Sequence, residues 1–213
     1  MVDLDFAVEG ASVATHAVAP LLLLALRITN RTPQIPIRNV LLRCQVRIEP
    51  TRRRYEADEQ ERLSDLFGIP ARWGETLRSF LWTHTNTLVP GFETEGLTEL
   101  PLPCSFDFNI AATKYFHGLE SGEVPLALLF SGSVFYADAE DRLQIDQLSW
   151  TKEAAFRLPV ALWREMMQHY YPDGMWLCLA HDVFDRLYHF KRAQGFATWE
   201  QTLDALLETE GGR

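Results

Sequence analysis

The hydrophobic period changes once along the chain, near Trp150, and this change constrains the fold more than any other feature. Before it, apolar and polar residues alternate, as in 42–48, where every even-numbered residue is apolar and every odd-numbered one polar. Such alternation is typical of a strand that buries one face. After it, apolar residues recur every three or four positions, as amphipathic helices require. The sequence therefore predicts an α+β protein that is mainly β and ends in a short α-helical region.

About seven strands are predicted before the change, at 4–8, 22–29, 42–48, 79–89, 104–110, 126–137 and 143–148. Most follow one another without an amphipathic helix between them, so we expect an antiparallel β-sandwich rather than a doubly wound sheet. One helical insertion is expected near 58–67. Asp58 and Glu61 have the spacing of a capping box there, and Gly68 suits the left-handed position after a helix.

Three helices are predicted after the change. The first begins at Pro159 as its first residue, the second begins at Asp182 as its N-cap, and the third begins at Thr198, with Gln201 completing a capping box. Short amphipathic helices cannot bury their apolar stripes alone. We therefore expect two regions, a sandwich over 1–150 and a helical region over 151–213 that packs on it.

The charge balance limits the partners of the chain. Its 213 residues carry a formal net charge of −9. That charge opposes binding to nucleic acid or to anionic membrane surfaces. The apolar run 17–26 follows acidic residues rather than a basic segment and is too short to span a bilayer, so a cytoplasmic location is expected.

The cysteines predict neither a disulfide framework nor a zinc site. Cys44, Cys104 and Cys178 are odd in number, widely spaced and set among apolar residues. This is the pattern of small buried hydrophobic side chains.

Two polar clusters are candidates for chemistry. His181, Asp185 and His189 recur every four residues, but on a helix the outer two would be about 12 Å apart, too far to share one ion easily. The second cluster comprises Asp107, Asn109, Lys114, Tyr115 and His117. It could bind a small ligand, or it could be the solvent-exposed face of a strand. No motif of the common hydrolases, nucleotide enzymes or thiol redox proteins is present, so we assign no catalytic residue, metal or cofactor.

The segment from Arg52 to Trp73 is the predicted docking site for a protein partner. Arg52, Arg53 and Arg54 form a positive cluster in an acidic protein, and Trp73 lies outside any predicted strand. Arginine and tryptophan are enriched among interface hot spots. Alternatively, the helix at 58–67 caps an open end of the sandwich and the arginines are solvated.

The chain resembles an uncharacterised bacterial family whose genes tend to lie in operons for nickel-iron hydrogenases. Residues that carry the resemblance include 104–108, 115–117, 122–126, 129–132 and 134–136, with Trp150, Leu158, Pro159, Trp163, Tyr171, Pro172, Trp176 and Trp199. The segment 26–30 and the arginine run also look like the family.

The resemblance implies an accessory role in hydrogenase expression, assembly or partnering, with a hydrogenase subunit or maturation factor as partner. The family has no assigned catalytic residues to transfer. The alternatives are a small-molecule carrier, a chaperone-like binding protein, or an enzyme without a recognisable motif.

Overall fold

The computed structural model describes residues 2–105, 110–174, 177 and 179–210. The chain divides into two compact units, Met1–Asp173 and Gly174–Arg213. The strands described in the first unit are β1 (Leu4–Val13), β2 (Leu21–Asn30), β3 (Ile37–Ile48), β4 (Phe80–Phe92), β5 (Glu95–Pro103), β6 (Glu123–Ala137), β7 (Leu143–Gln147) and β8 (Glu153–Pro159).

These strands form two antiparallel sheets. The first sheet has the order β1-β2-β5, and the second has the order β4-β3-β6 with both β7 and β8 on the far edge of β6. The long strand β6 pairs with β8 through its first half, 123–129, and with β7 through its last residues, 133–137. The prediction of a mainly β, antiparallel α+β protein is confirmed.

One apolar core lies between the sheets. Alternate residues of β2, β3 and β6 are buried, as their period of two requires. Phe6 of the first sheet stacks on Phe130 of the second with ring centroids 4.3 Å apart. Burying a side chain of this size contributes about 1.5–3 kcal/mol, so this shared core holds the two sheets together.

Five helices lie within the described residues of the first unit: α1 (Ala57–Arg62), α2 (Ser64–Phe67), α3 (Trp73–Thr76), α4 (Ile110–Gly118) and α5 (Val160–Tyr170). Two 3₁₀ turns, Pro50–Arg52 and Pro70–Arg72, lie beside the first three. In α4, Phe116 is buried and stacks on Trp163 of α5, with ring centroids 5.0 Å apart. The helices are thereby joined to the core of the sandwich.

Several elements differ from the sequence predictions. The strands β5 and β8 and the helix α4 were not predicted. The predicted strand at 104–110 is wrong at its described ends, since β5 ends at Pro103 and Ile110 begins α4, while 106–109 lie outside the described residues. The expected capping box of Asp58 and Glu61 is also wrong, because Glu56 and Glu59 form it two residues earlier. Gly68 follows α2 with a φ of 76°, as predicted.

The second unit contains the helices α6 (His181–Gln194) and α7 (Trp199–Glu210). The predicted capping box of the last helix is confirmed, since Gln201 N–H donates to Thr198 Oγ1 at 3.2 Å. The predicted N-cap at Asp182 is wrong, because α6 begins at His181 after Ala180. No helix among the described residues is long and apolar enough to cross a membrane. The expected ranges 1–150 and 151–213 stay a prediction.

Candidate functional site: surfaces for protein docking

The three consecutive arginines of the predicted docking segment do not share one environment. Arg53 has an extended backbone, with φ −126° and ψ 151°, and successive side chains of an extended chain point to opposite sides. Arg54 is accordingly directed away from Arg53, and Arg52, the last residue of the 3₁₀ turn, is also exposed, whereas the Arg53 side chain is only 10% exposed. The run thus splits into one internal and two external guanidinium groups.

Arg53 forms a buried clamp with Glu59, whose side chain is 4% exposed. Its Nη2 donates to Glu59 Oε1 at 2.6 Å and to Ser121 O at 2.7 Å, and its Nη1 donates to Glu123 O at 3.0 Å. Glu59 Oε1 also accepts the backbone N–H of Glu120 at 2.9 Å. This Arg53–Glu59 clamp joins α1 to the turn between α4 and β6, so Arg53 has a structural role.

A pair of tyrosines extends the attachment. Tyr55 O–H donates to Pro50 O at 2.8 Å, and the hydroxyl groups of Tyr55 and Tyr115 lie 2.7 Å apart. Burial raises the pKa of Tyr55 to about 12 and raises that of Tyr115 further above its usual range. Both hydroxyl groups therefore stay protonated at neutral pH and act as hydrogen-bonding groups rather than as bases.

Trp73 is half-buried and packs inside the same region. Its indole N–H donates to Gly68 O at 2.9 Å. Its ring meets Tyr55 and Phe67 edge to face, with centroids 5.2 and 6.0 Å apart. The residue lies at the start of α3, and part of its ring is left for contact with a partner.

Arg52 and Arg54 are the groups of this segment that are free to act outside the molecule. Neither makes an ion pair with a described carboxylate, although the chain has a net charge of −9. An exposed guanidinium group binds a carboxylate through two parallel hydrogen bonds. The two side chains thus present a short basic edge on a segment that the Arg53–Glu59 clamp holds in place.

A second exposed surface lies on the outer face of the second sheet. A hollow of about 400 Å³ is lined there by Arg43, Cys44, Gln45, His84, Thr85, Asn86, Leu129, Phe130, Ser131 and Trp150. Trp150 is 86% exposed. The sequence indicates Trp150 as the point where the hydrophobic period changes and as part of the family resemblance, but a single tryptophan in a turn gives no signal of a binding surface.

The outer face of the first sheet carries charges that neutralise one another. Arg27 contacts Glu9 at 2.7 Å, and Lys152 contacts Asp5 at 3.2 Å. A hydrogen bond from Arg31 lowers the pKa of Asp5 below its usual value. These side chains line a groove of about 630 Å³. Because they pair with one another, little net charge is left there to attract a ligand.

The second unit contains an apolar groove of about 650 Å³ between α6 and α7. Phe184, Leu187, Trp199 and Leu203 line it, with His181 and Glu200 among its polar residues. Phe184 and Leu203 are exposed rather than buried. Such a groove could accept an apolar molecule or an apolar side chain.

Comparison with known proteins assigns the chain to one family. The model of a family of unknown function, DUF6084, matches residues 1–213. The chain belongs to this family. No curated protein and no solved structure matches the chain significantly. Membership of an uncharacterised family is thus confirmed, while the link to hydrogenase genes stays a prediction; a family of unknown function brings no assigned functional residue to this chain.

Those remaining polar candidates of this DUF6084 chain that the structure describes do not converge on a site. Lys114 pairs with Asp65 at the surface, whereas Tyr115 points into the core. His117 meets the Trp163 ring edge to face, and burial lowers its pKa. Asp107 and Asn109 lie outside the described residues.

Two of the three metal-like helix positions lie close together. His181 Nδ1 lies 3.1 Å from Asp185 Oδ2. Across the described ranges no group of three or more His, Cys, Asp or Glu side chains could hold a metal ion.

Proposed function

We propose that this protein is a non-catalytic accessory factor that binds a protein partner through Arg52, Arg54 and the exposed part of Trp73. The observation that carries the proposal is the pair of outward guanidinium groups without a described carboxylate partner in an acidic chain. Because the Arg53–Glu59 clamp fixes the segment between them, little conformational entropy is lost when a partner binds.

The partner of this surface is an acidic patch on a hydrogenase subunit or maturation factor in the cytoplasm. The resemblance to proteins encoded beside nickel-iron hydrogenase genes supports this choice. Cys44 and Cys104 are free and buried, which is compatible with a reducing compartment. The protein then acts in hydrogenase expression, assembly or partnering by holding a component rather than by turning over a substrate.

Affinity capture from cells that express a nickel-iron hydrogenase operon tests this function. The test variant is Arg52→Gln with Arg54→Gln, which leaves Arg53 in place. The matched control is Arg31→Gln with Arg38→Gln, because it removes the same charge from exposed sites elsewhere. Losing a hot spot costs about 2 kcal/mol or more, roughly thirtyfold in affinity.

The expected result is that the intact protein and the control recover a hydrogenase component, while the test variant recovers much less. Circular dichroism and urea unfolding establish that all three are folded. If the test variant recovers the component as well as the control does, the docking segment is assigned wrongly. If the intact protein recovers no hydrogenase component, the proposed partner is wrong.

A second candidate function, a small-molecule carrier, is favoured by the apolar groove between α6 and α7. An apolar fluorescent dye is a suitable probe, since such dyes bind exposed apolar surface. We expect stoichiometric binding that Leu203→Glu abolishes if the protein is a carrier. Binding that the substitution leaves unchanged would remove this candidate.

A further inference from the structure

We propose that the outer face of the second sheet, around Trp150, Arg43 and His84, binds an extended acidic segment of a partner protein. The inference rests on the proposed function, since it adds a second contact surface to a docking protein. This surface is called the Trp150 face and is defined by Trp150, Arg43, His84, Asn86 and Gln45.

The charges of the Trp150 face favour an acidic ligand. No described Asp or Glu lines its hollow, and Arg43 forms no ion pair with a described carboxylate. Glu153 stands beyond Leu129 on the next strand, but it lines the groove of the first sheet instead. On that first sheet the arginines are paired with carboxylates. The guanidinium group of Arg43 is therefore available to pair with a carboxylate of a ligand, whereas those of the first sheet are already paired.

The register of the strands places the polar groups in rows. Asn86 of β4 stands opposite Arg43 of β3, which stands opposite Ser131 of β6. In the next row, His84 stands opposite Gln45, which stands opposite Leu129. Neighbouring strands are about 4.8 Å apart, so each row offers donors and acceptors across roughly 10 Å. That breadth suits the backbone and side chains of an extended peptide.

Trp150 is held over one side of these rows by a pinned turn. Leu148 N–H donates to Gly132 O at 2.9 Å on one side of the turn, and Phe130 N–H donates to Lys152 O at 2.8 Å on the other. The turn is closed by Lys152 N–H, which donates to Ser149 O at 3.1 Å. An exposed indole on a fixed turn is a preorganised anchor, and tryptophan is prominent among hot spots.

The neighbouring side chains indicate the kind of acidic segment. Leu41 and Leu88 face each other across β3 and β4 and are 51% and 59% exposed. They adjoin the row of Arg43, so an apolar side chain of a peptide could pack there while a carboxylate pairs with Arg43. A segment that combines acidic and apolar residues satisfies both. Nucleic acid is disfavoured, because the net charge of −9 repels its phosphates.

Fluorescence anisotropy with a labelled peptide of alternating glutamate and leucine tests the inference. A peptide with lysine in place of glutamate and a single-stranded oligonucleotide serve as comparison probes. The variants are Arg43→Gln and Trp150→Ala, whose side chains lie on the surface. The matched control is Arg31→Gln, which changes an exposed arginine beside the first sheet that pairs with Asp5. Arg52→Gln with Arg54→Gln is a separate arm that tests the proposed docking segment. Urea midpoints equal to that of the parent establish that the variants are folded.

The parent is expected to bind the glutamate peptide more weakly as salt rises and to bind the lysine peptide and the oligonucleotide poorly. Arg43→Gln and Trp150→Ala should each weaken binding about tenfold or more, and the control should retain it. If Arg52→Gln with Arg54→Gln loses binding while Arg43→Gln and Trp150→Ala retain it, the Trp150 face is wrong and the proposed docking segment survives. Equal binding of both peptides, tighter binding of the oligonucleotide, or no binding by the parent would each overturn the acidic-segment inference.

Discussion

The Arg53–Glu59 clamp predicts a large loss of stability on a nearly isosteric change, Glu59→Gln. Glu59 uses both carboxylate oxygens, since Oε1 accepts from Arg53 and from the Glu120 N–H, and Oε2 lies 3.4 Å from the Glu56 N–H. A glutamine side chain has one acceptor oxygen and one NH₂ donor group. On one side of the site its NH₂ group would therefore meet an N–H donor, and no hydrogen bond could form there. The charge of the buried Arg53 would also lose its partner.

Breaking a buried ion pair by removing one member costs about 3–5 kcal/mol. We expect the lower end of that range, about 3 kcal/mol, because the glutamine oxygen can still accept from Arg53. With a slope of about 2 kcal/mol per molar urea, the unfolding midpoint should fall by roughly 1.5 M. Urea unfolding followed by fluorescence and by circular dichroism measures this shift.

The control is Glu120→Gln, which neutralises the exposed pair of Glu120 with Arg62, 3.2 Å apart. Exposed pairs contribute about 0–1 kcal/mol, so its midpoint should shift by less than about 0.5 M. Replacing both clamp residues with apolar ones should cost less than the sum of the two single changes, because neither charge is then left alone. Equal shifts for Glu59→Gln and Glu120→Gln would refute the clamp.

Three further predictions concern other sites. Gly132→Ala should cost about 3 kcal/mol in urea unfolding, because φ is 143° and the new Cβ would lie 2.0 Å from a carbonyl oxygen of β3. Hydrogen bonding from Arg31 lowers the pKa of Asp5 in the folded state. The Asp5 carboxylate therefore stabilises the fold above about pH 4, and this stabilisation is lost as the pH falls through the folded pKa. In Asp5→Asn the free energy of unfolding should consequently fall less steeply below about pH 4. Burial raises the pKa of the Cys44 and Cys104 thiols to about 12, so mass mapping at pH 8 should find neither alkylated until urea unfolds the protein.

Each of these has a contradicting result. Gly10 has open space around its Cβ position, so a cost for Gly10→Ala equal to that of Gly132→Ala would contradict the steric argument. If the free energy of unfolding of Asp5→Asn falls with decreasing pH as steeply as that of the parent, the proposed contribution of the Arg31 hydrogen bond is refuted. Alkylation of either thiol at the same rate in the folded and unfolded protein would contradict its burial.

The sequence was informative wherever one face of an element is buried and the other exposed. β3 fits that description, and its alternation predicted it over 42–48, although the strand already begins at Ile37. β2 and β6 were predicted as β-compatible apolar runs bounded by turn residues, within three residues of their ends. α4 was missed although Lys114 and His117 are exposed at helical spacing, because Thr113 and Gly118 on its buried side interrupt the apolar stripe. β8 was missed because its alternation directly precedes the α5 helix and was included in the helical region.

The candidate sites were predictable only in part, because sequence spacing does not show what lies across a turn. The partner of Arg53 is six residues away in α1, and its two carbonyl acceptors are about seventy residues away. The hollow beside Trp150 is formed by β3, β4 and β6, which come together only through the sheet register. Neither arrangement leaves a local motif.

The split of the arginine run follows from backbone geometry and has a consequence for any docking surface built on it. A cluster of three like charges would repel itself if all three pointed outward, and each side chain would lose rotamer freedom on binding. With Arg53 turned inward and neutralised by Glu59, Arg52 and Arg54 are the exposed arginines of this run. Changes at Arg53 should therefore weaken docking only through loss of the fold, whereas changes at Arg52 and Arg54 act on the contact itself.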